Sequence, residues 1–418
     1  MSRILIAASR HPWPPRRGDQ ARSLQVAELL ALDHEVTLLV PEPPAGDPPT
    51  RPAALPFRLE IYRRSSPVGA AAGVGRALLR GLPLQSGLFR NRDLRERLRR
   101  LAPGADLAVL QLVRLARHLP DLGATPVVVD LVDSLALSTE MRSRLDRRAL
   151  RPALRWEAGL LARSEARLVR SARAALVVSG RDREAIARGL PADAAARLHV
   201  VPLAVPAPAV ALPPSPTGPP LLVVTGNLGY FPTDEGLRWF LAEVWPRLGS
   251  RRPELALLAA GDRAGARLRR ALAAAGARLE ESPSDLRPVL ERATVALAPM
   301  RGGAGQPMKI VEAWAAGVPV VATAWAAAGT TARPGEDLLV AGDPESWCRA
   351  IEGLVDDAGL RHRLAASARK RLAADYSRHS VGRRLEMIVA EATAPESRPE
   401  PSPAGVRDST GRPREARP

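Results

Sequence analysis

Short apolar runs rich in valine, isoleucine and leucine alternate with longer amphipathic stretches along nearly the whole chain, and no other feature constrains the fold as tightly. Residues 4–8, 35–40, 107–110, 126–132, 174–179 and 199–202 read as strands, with helix-like patterns at 20–31, 88–101 and 150–174 between them. Parallel strands need long crossover connections and are covered on both faces, so this rhythm predicts a doubly wound α/β domain in the first half. The rhythm then stops and restarts. Pro206 to Pro220 carries too many prolines for helix or sheet and is expected to be extended. Beyond it, residues 221–225, 255–260, 294–299, 319–323 and 338–340 repeat the strand pattern.

The expected organisation is a first domain over 1–206, a linker over 207–220 and a second α/β domain over 221–375. A final amphipathic helix at 376–393 is expected to pack back toward the first domain, and 394–418, rich in Pro, Arg, Ser and Glu, to be disordered. With 418 residues the chain can bury two cores at roughly 150 residues each.

Charge is unevenly spread. The net charge of +17 divides into 33 basic and 20 acidic side chains over residues 1–210, against 23 and 20 over 211–393. Such asymmetry points to different partners for the two halves, or to arginine-rich solvated helix faces. Only Lys309 and Lys370 are lysines, so much of the basicity resembles the drift of a GC-rich genome. The single cysteine, Cys348, excludes a disulfide framework and a cysteine-based zinc site and fits a reducing compartment. The six histidines offer no metal-binding spacing. An N-terminal apolar run too short for a secretory leader, and no stretch of about 18 apolar residues, predict a soluble or peripheral cytoplasmic protein. Phe and Tyr total only seven and no nucleic-acid motif is evident, so no nucleic-acid partner is expected. The seven tryptophans read as core anchors, and Gly73 with Gly75 gives at best a partial dinucleotide fingerprint.

The most informative stretch is residues 298–323, APMRGGAGQPMKIVEAWAAGVPVVAT. A strand leads into a turn with Gly302, Gly303 and Gly305, then a helix over about 307–316, stopped by Gly317. Glycines let backbone N–H groups approach a ligand and a helix N-terminus attracts anions, which makes a phosphate cradle. Lys309 in the first turn opposes the helix dipole unless an anion is near. Glu312, one turn on, has the acceptors for a vicinal diol such as a ribose. The same stretch also fits a tight strand–helix turn with a surface Lys and Glu. Asp130 and Asp133 form either an acid/base or metal pair, or a strand-end pair that caps a helix or supports a cleft.

This stretch resembles the donor-site motif of retaining GT-B-fold glycosyltransferases of family 4, in particular a bacterial polysaccharide-associated branch. Gly303, Gly305, Lys309, Glu312, Ala313, Ala315, Gly317 and the run from Pro319 to Thr323 follow its pattern. Agreement extends to Thr225-Gly226-Asn227, Ala260-Gly261-Asp262, Asp285-Leu286-Arg287-Pro288, the segment from Pro12 to Arg22, Leu82 to Gln85, and Asp130 to Ser134. The resemblance implies two Rossmann-like domains facing a central cleft, with the donor in the second domain and the acceptor in the first. It implies Lys309, Glu312 and Asp133 in the catalytic machinery. Substrate binding would fall to Gly18, Asp19, Arg22, Gly226, Asn227, Gly261, Asp285, Gly303 and Gly305, with Lys309 and Glu312. No metal or other cofactor is implied beyond a UDP- or GDP-linked sugar.

Three features depart from the family, one of them Val201-Pro202-Leu203-Ala204 in the place of a frequent V-P-N-G. The position eight before Glu312 is Ala304 instead of the frequent first glutamate, and Arg238 is the only cation in the segment after Gly226. The expected function is a retaining, hexosyltransferase-type transfer from a nucleotide sugar to a glycan or lipid-linked acceptor. A catalytically inactive nucleotide-sugar-binding scaffold is the alternative. The basic stretches 89–100 and 141–173 suggest contact with an anionic membrane surface.

Overall fold

The computed structural model describes residues 1–15, 17–44, 52, 54–146, 148–205 and 218–394. Most of the expected linker and all but the first residue of the expected disordered tail lie outside these. Seven parallel strands form the first sheet: β1 (Arg3–Ala7), β2 (Glu35–Pro41), β3 (Arg58–Tyr62), β4 (Leu107–Gln111), β5 (Val127–Val132), β6 (Ala174–Val177) and β7 (Leu198–Val200). Their order is β3-β2-β1-β4-β5-β6-β7. The second sheet contains β8 (Leu221–Thr225), β9 (Ala256–Gly261), β10 (Arg278–Glu281), β11 (Val295–Ala298), β12 (Val320–Ala322) and β13 (Leu339–Val340), ordered β10-β9-β8-β11-β12-β13.

The central strands are buried on both faces because helices cover both. All six residues of β5 and all five of β4 are buried, and each sheet has an apolar core on either side. The two strands not foreseen from sequence, β3 and β10, are edges. Their RLEIY and RLEE sequences carry charges at partly exposed positions, which blunts the free edge and hides the apolar signal. In each sheet the order reverses beside the first strand of the domain, β1 or β8, so loops at those C-terminal ends open a crevice.

Local chemistry sets the helix ends. The helix expected over 88–101 starts at Arg92 because the Asn91 side chain accepts the Leu94 N–H at 2.8 Å. Gly317, at φ +74°, ends the helix Met308–Ala315. The last helix, Arg378–Thr393, inserts Val381, Leu385, Ile388 and Val389 into the core that also holds Ile4, Ile6 and Leu29. His34 and Glu386, 2.8 Å apart, tie it to the first domain.

Gly73 and Gly75 lie in the helix Pro67–Leu79 and open no dinucleotide turn. This helix crosses Leu84–Leu88 so closely that a Cβ on Gly73 would stand 2.2 Å from the Gly87 carbonyl oxygen. Gly73→Ala must push the two helices apart, and urea unfolding is expected to show a loss of about 1–3 kcal/mol.

Candidate functional site

A cleft of about 1290 Å³ runs between the C-terminal ends of the two sheets. Its second-domain wall begins where β8 and β9 end. Gly226 (φ +107°) and Gly261 (φ +152°) pass so close that a Cβ on Gly261 would stand 1.7 Å from the Gly226 oxygen. Only glycine permits this approach, and it keeps side chains off the floor at the strand ends. Asn227 follows, its side chain accepting the Gly229 N–H at 3.1 Å.

Above that floor stands the helix Met308–Ala315, whose N-terminus has no side-chain cap. Lys309 is buried; its Nζ donates to Thr233 Oγ1 at 3.0 Å and lies 3.7 Å from Met300 Sδ. Burial pulls the ammonium down to about 8, opposed by the charge of Glu312. Glu312, one turn on, lines the same wall without a hydrogen-bond partner among the described residues, and burial raises its carboxyl. A desolvated cation and an unpartnered carboxylate one turn apart suit a ligand that brings an anion and hydroxyl donors.

The first-domain wall comes from the ends of β1, β4, β5 and β6. Gly18 and Asp19 open the helix Gly18–Leu30, and the Asp19 carboxylate is shared by Arg10 at 3.2 Å and Arg114 at 3.1 Å. Burial, with Arg114, Arg17 and Arg263 as like-charged neighbours, lowers Arg10 to about 10 against the pull of Asp19. Leu112 (φ +66°) and Val132 (φ +62°) hold left-handed conformations at the ends of β4 and β5, and both line the cleft. Branched and bulky residues rarely take this conformation, and such strain concentrates at functional sites. Asp133 follows at once; burial first, then the charge of Asp182, raises its carboxyl to about 7.

Across the cleft the domains are tied by groups that the sequence did not single out. Asp182 accepts the Gly305 N–H at 3.0 Å and the Ser134 N–H at 3.1 Å. Arg181 donates to the Gly305 and Trp325 carbonyls and lies over the Trp325 ring, 4.6 Å from its centroid. Gln306 exchanges two hydrogen bonds with the Leu203 backbone. The signal that could have found Arg181 and Asp182 is Ser179, which ends a strand run and caps the next helix by accepting the Asp182 N–H. Among the described residues no group of three His, Cys, Asp or Glu side chains is placed to hold a metal ion.

Residues 219–357 match the model of the family described as Glycosyl transferases group 1. A stretch of 74 residues is 40% identical to the lipopolysaccharide core biosynthesis glycosyltransferase LpsE of Rhizobium meliloti (strain 1021), covering 17% of this chain and 22% of that protein. The chain thus spans about a fifth of that relative's length. Over 94% of this chain and 99% of the other, the structure is similar to sucrose-phosphate synthase from Thermosynechococcus elongatus, with a TM-score of 0.69 at 16% identity. Anabaena HepE, solved in complex with UDP-glucose, gives a TM-score of 0.62 at 13% identity over 93% of this chain and 100% of that one. The fold is GT-B: two α/β domains with parallel sheets facing a cleft.

Of the residues expected to bind substrate or act in catalysis, Gly18, Asp19, Asp133, Gly226, Asn227, Gly261, Gly305, Lys309 and Glu312 line the cleft together. Four expectations need correction. Arg22 does not face a ligand: it is fully buried, with Nε on Asp130 at 2.8 Å and Nη1 on the Pro202 carbonyl at 3.0 Å. Asp130 is thereby a structural partner and not part of an acid/base pair with Asp133. Gly303 packs beneath Pro232 and Tyr230, off the cleft wall. Asp285 is exposed and accepts the Arg287 N–H, leaving Pro283 and Leu286 as the wall there. Gly305 lines the cleft, but its N–H is committed to Asp182, so the glycine turn is less a phosphate cradle than a domain joint. Arg22→Met strands the Asp130 carboxylate in the core, and chemical denaturation is expected to show a loss of about 3–5 kcal/mol.

Proposed function

We propose that the chain is a glycosyltransferase of the retaining, family 4 type, moving a hexose from a UDP- or GDP-linked donor to an envelope polysaccharide or glycolipid acceptor. The observation that carries this reading is the Lys309–Glu312 pair, a buried ammonium and an unpartnered carboxylate above the Gly226–Gly261 crossing. In this reading Glu312 accepts the ribose hydroxyls. Lys309 and the uncapped N-terminus of its helix face the diphosphate.

As the bond from the anomeric carbon to the diphosphate oxygen breaks, its electron pair goes to that oxygen and negative charge grows there. An ammonium already desolvated and fixed by Thr233 stabilises this state more than the intact donor. Asp133, held near neutral pH on the opposite wall, positions the acceptor hydroxyl from the first domain. The reaction is proposed to run without a resident metal or other cofactor. The proposed setting is the cytoplasm, at the inner face of the membrane, with no nucleic-acid partner. Ala304 keeps a second reading in view, a nucleotide-sugar-binding scaffold that does not transfer.

Calorimetric titration of UDP, GDP and ADP tests the reading. One nucleotide is expected to bind, and Glu312→Ala to weaken it by about one to two decades, the cost of about 1–3 kcal/mol for a lost buried acceptor. Absence of binding by all three to folded protein sinks the donor site, whereas binding without donor hydrolysis or transfer favours the scaffold.

Lys309 adds a pH dependence. Its free-state value of about 8 must rise when a diphosphate arrives, so binding takes up a proton wherever the free lysine is partly neutral. Nucleotide affinity is therefore expected to fall as pH rises above about 8. Lys309→Met, measured the same way, binds weakly and loses that slope.

A further inference from the structure

The helix Pro67–Leu79, PVGAAAGVGRALL, is apolar almost all round, yet only Gly73 and Ala77 are buried, against the helix Leu84–Leu88. Val68 is 79% exposed, Leu78 54%, Leu79 88% and, on the second helix, Leu88 47%. A helix whose apolar faces meet neither core nor neighbour presents an interaction surface. Arginines gather near it: Arg76, Arg80 and Arg90 all act on Arg117, and none of the four makes an ion pair among the described residues. Burial lowers Arg117, and Arg90, Arg80, Arg76 and Arg95 push it further in the same direction.

The next helix, Arg92–Leu101, is different. Its Arg92, Arg97 and Arg99 pair with Glu96, Glu60 and Asp121 at 2.9–3.0 Å, so its charge is largely met within the protein. The same holds at the start of the 141–173 stretch, where Arg142 pairs with Asp146 and Arg144 with Glu140. The stretch 89–100 is therefore not where unmatched positive charge and exposed apolar area coincide, whereas the helix Arg151–Ser171 keeps some of both, with Trp156 44% exposed and Arg155, Arg163 and Arg167 without an ion pair among the described residues.

We propose that the helical pair Pro67–Leu79 and Leu84–Leu88 beds on an anionic lipid bilayer, its leucines among the acyl chains and Arg76, Arg80, Arg90 and Arg117 at the headgroups. The combination of exposed aliphatic side chains and a cluster of arginines without ion pairs is complementary to that surface and to no neutral one. The placement also bears on the substrate. Gln85, on the second helix, accepts from Arg114 Nε at 2.9 Å, and Arg114 reaches Asp19 at 3.1 Å; all three line the cleft. The bedded surface thus leads directly into the first-domain side of the cleft, and the acceptor is a lipid-anchored one presented from the bilayer. Only this last step rests on the transferase reading.

Cosedimentation of the full chain with vesicles, without nucleotide, tests the surface. Vesicles containing phosphatidylglycerol are expected to take up the protein, less so at high salt, and pure phosphatidylcholine vesicles to leave it in solution. Arg76→Ala with Arg80→Ala should lower the partition about thirtyfold, from the ordinary gain per basic residue at an anionic surface. Leu78→Ser with Leu79→Ser should lower it as well, with thermal unfolding and nucleotide titration unchanged in both variants. Equal partition of wild type and variants, or no partition by folded protein, overturns the proposal. So does a concentration-dependent dimer dispersed by the leucine substitutions, which would make a second copy the occupant. Nucleotide titration is read separately, so a failed donor site and a failed lipid surface give different results.

Discussion

Asp182 is the group on which the shape of the cleft depends. It is fully buried at the start of the helix Gly180–Ala187, and its carboxylate takes N–H groups from Ser134, after β5, and Gly305, after β11, besides the Ser179 hydroxyl. A buried carboxylate is tolerable only when saturated with donors, and this one draws a donor from each domain. Its charge acts on two neighbours with fewer donors. Asp133 is raised to about 7 and Glu165 to about 8, in both chiefly by burial, although Glu165 still accepts from the Ser134 hydroxyl and the Ala136 N–H. One well-supplied carboxylate thus fixes the joint between the domains and adds its charge to the burial that raises a cleft-facing carboxyl.

Most of the fold was legible because its signal is periodic and local. Central strands such as β5 are continuous apolar runs between turn signals, and nearly every one can be read to within a residue or two. The edges β3 and β10 were not, since a strand that must repel other strands carries charge where the apolar pattern is sought. The cleft residues separate along the same line. Gly226, Gly261, Lys309 and Glu312 sit in one domain's strand–helix turns, where local sequence dictates geometry. Arg22 misled because its partners lie far along the chain, Asp130 and the Pro202 carbonyl, and nothing near Arg22 marks it for burial. Arg181 and Asp182 were missed for the same reason: their roles exist only once the second domain arrives.

Charge composition was the least readable level. An excess of arginine says little until each guanidinium is matched with its carboxylate. The helix Arg92–Leu101 has the densest basic sequence, yet Glu60, Glu96 and Asp121 answer most of it. The alanine- and glycine-rich helix before it, with few charges of its own, is where unmatched arginines gather from several elements. Net charge per segment therefore ranks these two surfaces in the wrong order, because what matters to an outside partner is the charge left after internal pairing.

The same accounting gives a physical reason for Ala304. Residue 304 lines the cleft with Asp133 and directly precedes Gly305, whose Cβ, if present, would lie 3.3 Å from that of Asp133. The pocket already holds Asp182 at full burial and raises the carboxyl of Asp133 to about 7. A glutamate at 304 would bring a third carboxylate to this wall, and like charges this close cannot all ionise. Alanine removes that conflict and leaves Asp133, contributed by the opposite domain, as the carboxyl on this stretch of the cleft.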